Sequence, residues 1–308
     1  MNEFHQIINE VKKAVNGKDR TVVMTLLALL AGGNILIEDI PGVGKTTMAV
    51  AFSKALGLRC CRVQFTPDTL PSDITGFSSF QKETGKTVFH PGAVFCNLFL
   101  ADELNRTSSR TQSALLEAME ERGVTVDGRT YPLEPPFSVI ATQNPVGASG
   151  TQLLPDSQTD RFMICVSMGY PDAEAETDML LNRVSSNPLD SVGNVVDAKG
   201  FLRMQEQVRG VYVDGDIAAY IVSLVRATRE DVLISRGASP RATLALTDMS
   251  KAAAFASGRD YVTPKDVRNV FYNTLSHRII LSAEAASRSM SAGDALDAVL
   301  KRVKSPKV

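Results

Sequence analysis

Short apolar runs alternate with helical stretches over the first half of the chain. Residues 34–37 (Asn-Ile-Leu-Ile) form a compact apolar run, which a glycine-containing loop and a helical stretch from Lys45 to Leu56 follow. Further runs typical of buried strands are Arg62–Phe65, Leu98–Ala101, Phe137–Thr142 and Phe162–Val166. Helical segments lie between several of them, notably Thr111–Glu121. This alternation predicts an α/β fold in which helices cover both faces of a parallel sheet.

The pattern changes after Tyr170-Pro171, where apolar positions recur at helical spacing and no strand is clear. Ser239-Pro240-Arg241 opens a helix that runs to about Ser257. Thr263-Pro264 opens another, with threonine as the cap and proline at the first helical position. We therefore predict a core domain of residues 1–170 and an all-α domain of residues 171–308.

Two hairpin patterns interrupt the alternation in the first half. Val124–Tyr131 has an Asp-Gly turn between β-prone arms, which is the strongest local signal for a hairpin. A weaker pattern runs from Phe77 to Phe89 around Thr84-Gly85. Neither hairpin is needed to complete a parallel sheet, so both are candidates for a functional role.

Composition excludes some classes of protein. The formal net charge of −1 over 308 residues provides no whole-molecule field that would attract nucleic acid or anionic lipid, although it leaves room for a local basic groove. The longest apolar stretch near the N-terminus, Val22–Ala31, is much shorter than the roughly 20 residues of a membrane-spanning helix. Residues 1–16 lack the apolar core of a signal peptide, and His5, His90 and His277 are too dispersed for a metal site. We expect a soluble, cytoplasmic protein with no membrane span.

A Pro-Gly-Val-Gly-Lys-Thr string follows the first predicted strand and matches the end of the phosphate-loop motif, with Asp39 in place of the motif's first glycine. Gly42 and Gly44 allow successive backbone N–H groups to point at phosphate oxygens, and the next helix adds its positive end. Lys45 is expected to reach the β- and γ-phosphates of ATP, and the Thr46 hydroxyl to ligate Mg²⁺. The predicted nucleotide-binding residues of this loop are Pro41, Gly42, Val43, Gly44, Lys45, Thr46 and Thr47.

Polar residues follow two of the other predicted strands. Asp102 and Glu103 come directly after Leu98–Ala101, where adjacent carboxylates are costly unless they meet a cation. Asp102 is therefore a candidate Mg²⁺ ligand, and Glu103 a candidate general base for the water that attacks the γ-phosphate. Asn144 follows Phe137–Thr142, where its amide can orient that water. The alternative for Asp102 and Glu103 is a solvated acidic loop after the strand. The alternative for Asn144 is an ordinary turn residue before proline.

These motifs, in this order, resemble those of the AAA+ ATPases and, among them, the MoxR family. The resemblance spans most of residues 30–170 and, weakly, the helical tail. Besides the two nucleotide motifs, the strings that carry it are Gln64–Asp68, Leu70–Gly76, Phe89–Gly92, Leu100–Arg106, Gln112–Glu121, Ala141–Pro145, Asp160–Phe162 and Ser239–Arg241. It implies an AAA+ sheet domain and a helical lid domain, with nucleotide bound between the subunits of a homo-oligomeric ring, commonly a hexamer.

The resemblance also implies roles for individual polar residues. Asn144 corresponds to the family's first sensor, and Arg161 to the arginine finger that reaches the neighbouring subunit's γ-phosphate. Arg241 corresponds to the sensor arginine of the lid, and Arg106 to an additional sensor. From the residues alone, a surface or capping role is the default for Arg161, which stands at the start of an apolar strand. Arg241 stands in the first turn of a helix, where a cation opposes the macrodipole unless an anion is bound.

The two hairpin regions have counterparts in the family. Residues 66–89 resemble the helix-2 insert and residues 124–131 the hairpin before the first sensor, and both are expected to face the pore of the ring or its substrate. The chain departs from the family pattern over residues 146–157, which places the contacts of that loop in question but not the nucleotide site.

The resemblance predicts an enzyme that hydrolyses ATP to drive chaperone-like remodelling or maturation of a protein partner. Proteins with von Willebrand factor A domains are candidate partners, because family members often act beside them. One alternative is a nucleic-acid motor, which the mixed charges of the hairpins disfavour. Another is a nucleotide-gated scaffold with little hydrolysis, which would not need the whole set of Lys45, Asp102, Glu103, Asn144 and Arg161.

Overall fold

The computed structural model describes residues 3–40, 42–144, 154–170, 173, 176–177 and 187–306. The chain forms two compact units: the first groups residues 1–22, 36–154 and 167–202, and the second groups residues 23–35, 155–166 and 203–308. The segment 155–166, which the sequence analysis assigns to the core domain, thus clusters with the second unit. The domain boundary near residue 170 stays a prediction.

A five-stranded sheet in the order β2-β5-β8-β1-β9 holds the predicted nucleotide motifs at the ends of its strands. Its strands are β1 (Ile35–Glu38), β2 (Cys60–Gln64), β5 (Leu98–Asp102), β8 (Ser138–Gln143) and β9 (Ile164–Val166). The completely buried β5 pairs in parallel with both β2 and β8, with Leu98 opposite Cys60 on one side and Ser138 on the other. The prediction of an α/β fold with a parallel sheet is confirmed.

Helices accompany the sheet. They are α1 (Glu3–Lys12), α2 (Asp19–Leu30), α3 (Lys45–Ala55), α4 (Pro71–Thr75), α5 (Ser109–Glu121) and α6 (Asp156–Thr159), with short 3-10 helices at Leu104–Arg106 and Pro188–Ser191. Two of them, α3 and α5, correspond to the predicted helical stretches Lys45–Leu56 and Thr111–Glu121. In α1 the buried residues recur at helical spacing, so one face of the helix packs against the protein. They are Phe4, Ile7, Ile8 and Val11.

Both predicted hairpins are present in the first unit. Strands β3 (Gly76–Gln81) and β4 (Lys86–Pro91) form one antiparallel pair, and β6 (Gly123–Val126) and β7 (Arg129–Pro132) form the other. The Asp-Gly turn of the second has positive φ angles of 50° and 75°, which this tight turn requires. The rings of Phe89 and Tyr131 stack with their centroids 3.8 Å apart. The two hairpins therefore contact each other through aromatic side chains.

The second unit is mainly helical. Its helices include α8 (Gly215–Arg229), α9 (Pro240–Ala256), α10 (Pro264–Leu275), α11 (Ala283–Ser287) and α12 (Ala292–Arg302), and α7 (Ala198–Arg209) enters it from the first unit. A 3-10 helix, Ser276–Arg278, follows α10. A short antiparallel pair of strands, β10 (Ile234–Arg236) and β11 (Ile280–Leu281), accompanies the helices. The helical pattern does not predict this pair, because strands of two or three residues are too short to show alternation.

The start of α10 depends on a buried carboxylate, Asp266. It accepts hydrogen bonds from the backbone N–H and hydroxyl of Thr263, and it forms a two-point ion pair with Arg259. Burial raises the pKa of Asp266, but the hydrogen bonds from Arg259 and Thr263 outweigh this effect and lower its pKa overall.

We expect Asp266→Ala to lower the free energy of unfolding by about 3 kcal/mol, because it removes the helix cap and leaves Arg259 without its partner. Since the folded-state pKa is lowered, the stabilisation is present above the unfolded pKa of roughly 3.9 and is lost as the pH falls through the folded value. Urea denaturation at several pH values measures both effects. Lys265→Ala, at an exposed neighbouring position, is the control. A change below about 0.5 kcal/mol in Asp266→Ala contradicts this account.

Candidate nucleotide-binding site

The glycine loop between β1 and α3 has the backbone that a phosphate site requires. Gly42 and Gly44 have φ angles of 87° and 92°, in the left-handed region that favours glycine. Among the described residues, no atom beyond the adjacent residues lies within 4 Å of a Cβ atom built at Gly42, so this part of the loop presents an open face to them. Gly44 is the N-cap residue of α3, and among the described residues no side chain caps this helix. Its first N–H groups can therefore bind an anion.

Lys45 lies at the start of α3 and is only 7% exposed. Its Nζ donates a hydrogen bond of 2.7 Å to the backbone carbonyl of Asp39. Burial lowers the pKa of Lys45, and the negative charges of Asp39, Asp102 and Glu103 oppose that shift. The structure thus brings the predicted phosphate-binding lysine beside the predicted magnesium ligand and the predicted base.

Asp39, which replaces the first glycine of the motif, is a buried anchor of the loop. Its Oδ2 accepts hydrogen bonds of 2.6 Å from the backbone N–H groups of Met168 and Gly169, and one of 3.0 Å from the Ser167 hydroxyl. Its Oδ1 accepts from the N–H of Ile40. Burial raises the pKa of Asp39, but these hydrogen bonds outweigh that effect, so the pKa is lowered overall and the carboxylate is ionised. The departure from the motif therefore has a structural role.

Asp102 ends β5 with both carboxylate oxygens in hydrogen bonds. Oδ1 accepts from the Thr142 hydroxyl at 2.7 Å, and Oδ2 from Arg62 Nη2 at 2.7 Å. Arg62 comes from the neighbouring strand β2, where it lies opposite Leu100. Arg62 and Thr142 cannot be recognised as site residues from the sequence, because only the sheet register brings them to this carboxylate.

Glu103 follows Asp102 in the left-handed conformation, with φ 57°, which is uncommon for a residue other than glycine. Its Oε2 accepts a hydrogen bond of 2.7 Å from Arg106, and its Oε1 accepts one of 3.1 Å from the amide of Asn144. Burial raises the pKa of Glu103, but the hydrogen bonds from Arg106 and Asn144 outweigh it and lower the pKa overall. The carboxylate is therefore ionised near neutral pH, as a general base must be.

Asn144 is buried beside Glu103, at the end of β8. The side chain of Asn105 holds its backbone. Asn105 Nδ2 donates to the Asn144 carbonyl at 3.3 Å, and Asn105 Oδ1 accepts from the Asn144 N–H at 3.4 Å. The Asn144 Oδ1 atom is buried and has no hydrogen-bond partner within the part of the chain that the structure describes. An unsatisfied buried acceptor is costly, so it indicates a place for a water molecule or a ligand donor.

These residues fit a magnesium nucleotide. Mg²⁺ prefers oxygen ligands and is commonly held by one or two protein groups together with substrate phosphates, and the Thr46 hydroxyl and Asp102 supply such groups. Among the described residues no group of three or more His, Cys, Asp and Glu side chains is placed to hold a metal ion. A metal at this site would therefore depend on the phosphates as well as on the protein. Thr46 and Thr47 are half-buried in the first turn of α3, next to the loop.

The two remaining predicted arginines lie in the second unit. Arg161 stands between α6 and β9 and is half-buried, and Arg241 is exposed in the first turn of α9. The predicted loop residue Pro41 and most of the atypical loop, residues 145–153, lie outside the described residues. Arg106, the predicted additional sensor, is bonded to Glu103. The roles of these residues stay predictions.

The phosphate loop at the end of β1, the carboxylates at the end of β5 and the lid helices together define an ATPase of the AAA+ class. Residues 34–164 match the family described as ATPase family associated with various cellular activities (AAA), and residues 226–299 match the AAA lid domain. A crystal structure of a protein from Cytophaga hutchinsonii is similar, with a TM-score of 0.91 and 38% identity, covering 99% of this chain and 96% of that one.

Curated relatives are similar over nearly the full chain. It is 43% identical over 308 residues to protein YeaC of Bacillus subtilis, covering 99% of this chain and 96% of that protein. It is 37% identical to Chaperone MoxR1 of Mycobacterium tuberculosis, covering 99% and 83%, and 31% identical to Protein MoxR of Methylorubrum extorquens, covering 96% and 93%. The chain belongs to the MoxR family of AAA+ ATPases. No helix in the described segments is long and apolar enough to cross a membrane.

We expect Asp39→Ala to weaken ATP binding by about tenfold or more, because the donors that hold its carboxylate lose their acceptor and the loop loses its anchor. Titration with a fluorescent ATP analogue measures the affinity. Asp190→Ala, which removes a carboxylate 3.9 Å from Lys54 at an exposed position, is the control and should bind as the wild type does. A folded Asp39→Ala protein with unchanged affinity would show that the anchor does not shape the phosphate site.

Proposed function

We propose that the protein hydrolyses ATP with Mg²⁺, at sites shared between the subunits of a homo-oligomeric ring, and uses this turnover to remodel a protein partner. The observation that carries the proposal is the position of Glu103. Its ionised carboxylate lies beside a buried lysine and a buried amide whose oxygen has no hydrogen-bond partner among the described residues.

Individual residues bind the phosphates, bind the metal and accept the proton in this proposal. The backbone N–H groups of Gly42 to Thr47 hold the phosphates, and Lys45 exchanges the carbonyl of Asp39 for a phosphate oxygen. Thr46 and Asp102 would hold Mg²⁺, which would supply positive charge that stabilises the phosphate oxygens. Glu103 takes a proton from the attacking water, which the Asn144 amide orients.

Arg106 restrains Glu103 in the described geometry. The ion pair between Arg106 Nη1 and Glu103 Oε2 is 2.7 Å long. Each Glu103 oxygen accepts one hydrogen bond from the protein and keeps a lone pair for the attacking water. The contact with Arg106 thus fixes the direction of the Glu103 carboxylate, which is consistent with the proposed role of Arg106 as a sensor.

Two observations support a protein partner. A relative that is 37% identical is named a chaperone, Chaperone MoxR1. On the hairpin β3–β4, Phe77 and Phe80 are 52% and 66% exposed, as is usual for side chains that contact a partner. A protein with a von Willebrand factor A domain, a hexameric ring and a cytoplasmic location remain parts of this proposal.

We expect Glu103→Gln to abolish most ATP hydrolysis and to retain ATP binding, because glutamine keeps the shape of the side chain but cannot accept the proton. Measurement of the hydrolysis rate against protein concentration tests assembly at the same time: in the wild type the rate per subunit should rise with concentration. Glu121→Gln, at the exposed end of α5, is the matched control. Normal turnover in Glu103→Gln would contradict the proposed base.

We expect Arg161→Ala to retain nucleotide binding and to lose hydrolysis by on the order of 10³-fold, as when an arginine supplied by a neighbouring subunit is removed. Steady-state kinetics of the assembled protein measures this loss. Arg226→Ala, which removes an exposed arginine of α8, should leave the rate unchanged. Near-normal turnover by an assembled Arg161→Ala protein would remove Arg161 from the catalytic site.

A further inference from the structure

A buried arginine, Arg278, holds the backbone around Arg161. Its side chain is 2% exposed and donates hydrogen bonds to both the carboxylate and the carbonyl of Asp160, at 2.9 and 3.1 Å. It also donates to the carbonyls of Phe162 at 2.7 Å, Met163 at 3.0 Å and Thr274. The carbonyls on both sides of Arg161 are therefore fixed by one guanidinium group.

A second buried side chain strengthens this attachment. His277 Nε2 lies 3.0 Å from the same Phe162 carbonyl and donates to it, since a carbonyl oxygen only accepts. Burial lowers the pKa of His277 well below its ordinary value, and the adjacent charge of Arg278 lowers it further, so the ring is neutral. Two consecutive side chains of the 3-10 helix Ser276–Arg278, those of His277 and Arg278, therefore hold the backbone next to Arg161 by hydrogen bonds.

The same segment is tied to the helix that carries Arg241. Ser239 is the N-cap residue of α9, but its side chain makes no capping hydrogen bond. Its hydroxyl instead donates to Asp160 Oδ2 at 2.8 Å. The N-cap serines of α11 and α12, Ser282 and Ser291, do cap their own helices. The Asp160 carboxylate thus bridges Arg278 on one oxygen and the start of the Arg241 helix on the other.

We propose that Asp160, Arg278 and Ser239 couple the two arginines, so that a movement of α9 at Arg241 is passed to Arg161. This inference rests on the proposed function and on the predicted roles of the two arginines, Arg241 as the sensor arginine of the lid and Arg161 as the arginine finger offered to the neighbouring subunit. Charge-assisted hydrogen bonds in a buried setting are short, directional and costly to break, so the segment 160–163 moves with the helices that hold it. The three residues are positioning residues: each acts through Arg161.

A further contact indicates that the segment 156–163 moves together with the rest of the second unit. Arg236 of β10 also forms an ion pair with Asp156, at the beginning of α6. The stretch from Asp156 to Met163 is thereby bonded to other parts of the second unit at both ends and in the middle, and residues 155–166 belong to that unit. In the proposed ring, the nucleotide state of one subunit would set the position of the arginine offered to the next.

Ser239→Ala tests the coupling, because it removes the bond to Asp160 without removing a helix cap. We expect kcat to fall, by up to about 10²-fold, with KM for ATP unchanged, since misplacing Arg161 affects the reaction and not the subunit's own nucleotide binding. In the Arg161→Ala background, Ser239→Ala should cause no further loss. Ser291→Ala, which removes a true cap from α12, is the matched control and should leave kcat unchanged.

Hydrogen exchange supplies a readout that does not require hydrolysis. In the wild type, saturating ADP should change the exchange of the peptide that covers residues 156–163, and in Ser239→Ala this response should be lost while ADP still binds. Asp160→Asn is a stronger variant, because it weakens the bonds to both Arg278 and Ser239. If Asp160→Asn does not fold, the result for Ser239→Ala alone tests the coupling. An ADP response that is absent in the wild type, or that persists in Ser239→Ala, overturns the coupling. A wild type that binds nucleotide but does not hydrolyse it overturns the proposed function, and the exchange response then decides the coupling alone.

Discussion

The buried ammonium group of Lys45 is the constraint around which the first unit is arranged. A cation withdrawn from water is costly unless acceptors and opposite charges surround it. Here the Asp39 carbonyl accepts its hydrogen bond, and the carboxylates of Asp39, Asp102 and Glu103 lie close enough to oppose the lowering of its pKa. These groups come from the ends of β1 and β5, so the parallel sheet is the element that brings them together.

Hydrogen bonds from neighbouring side chains stabilise the negative charges of Asp102 and Glu103. Arg62 and Thr142 occupy the oxygens of Asp102, and Arg106 and Asn144 occupy those of Glu103. Glu103 adopts a left-handed backbone conformation to reach them, and such strain is common at functional sites. A site that balances its own charges in this way can exchange these contacts for phosphate and metal.

Much of the fold could be predicted from the sequence, because local patterns determine it. The Gly-x-Gly-Lys-Thr loop, the Asp-Gly hairpin and the Thr-Pro start of α10 each have a conformation that a few adjacent residues specify. Asp39, Arg62 and Thr142 could not be recognised as site residues, because their partners are brought to them by sheet register or by segments more than a hundred residues away. The grouping of residues 155–166 with the helical unit could not be predicted either, because the partners of this segment, such as Arg278 for Asp160, lie far along the chain.

The central claim is that each active site takes its base from one subunit and an arginine from another. Mixing Glu103→Gln with Arg161→Ala tests it directly. The first variant lacks the base but offers an intact arginine, and the second lacks the arginine but has an intact base. Each alone should be nearly inactive, whereas an equal mixture should recover up to about a quarter of the wild-type rate, the share of sites that combine both intact parts in a head-to-tail ring. Mixed assemblies that form and remain inactive would contradict a site shared between subunits.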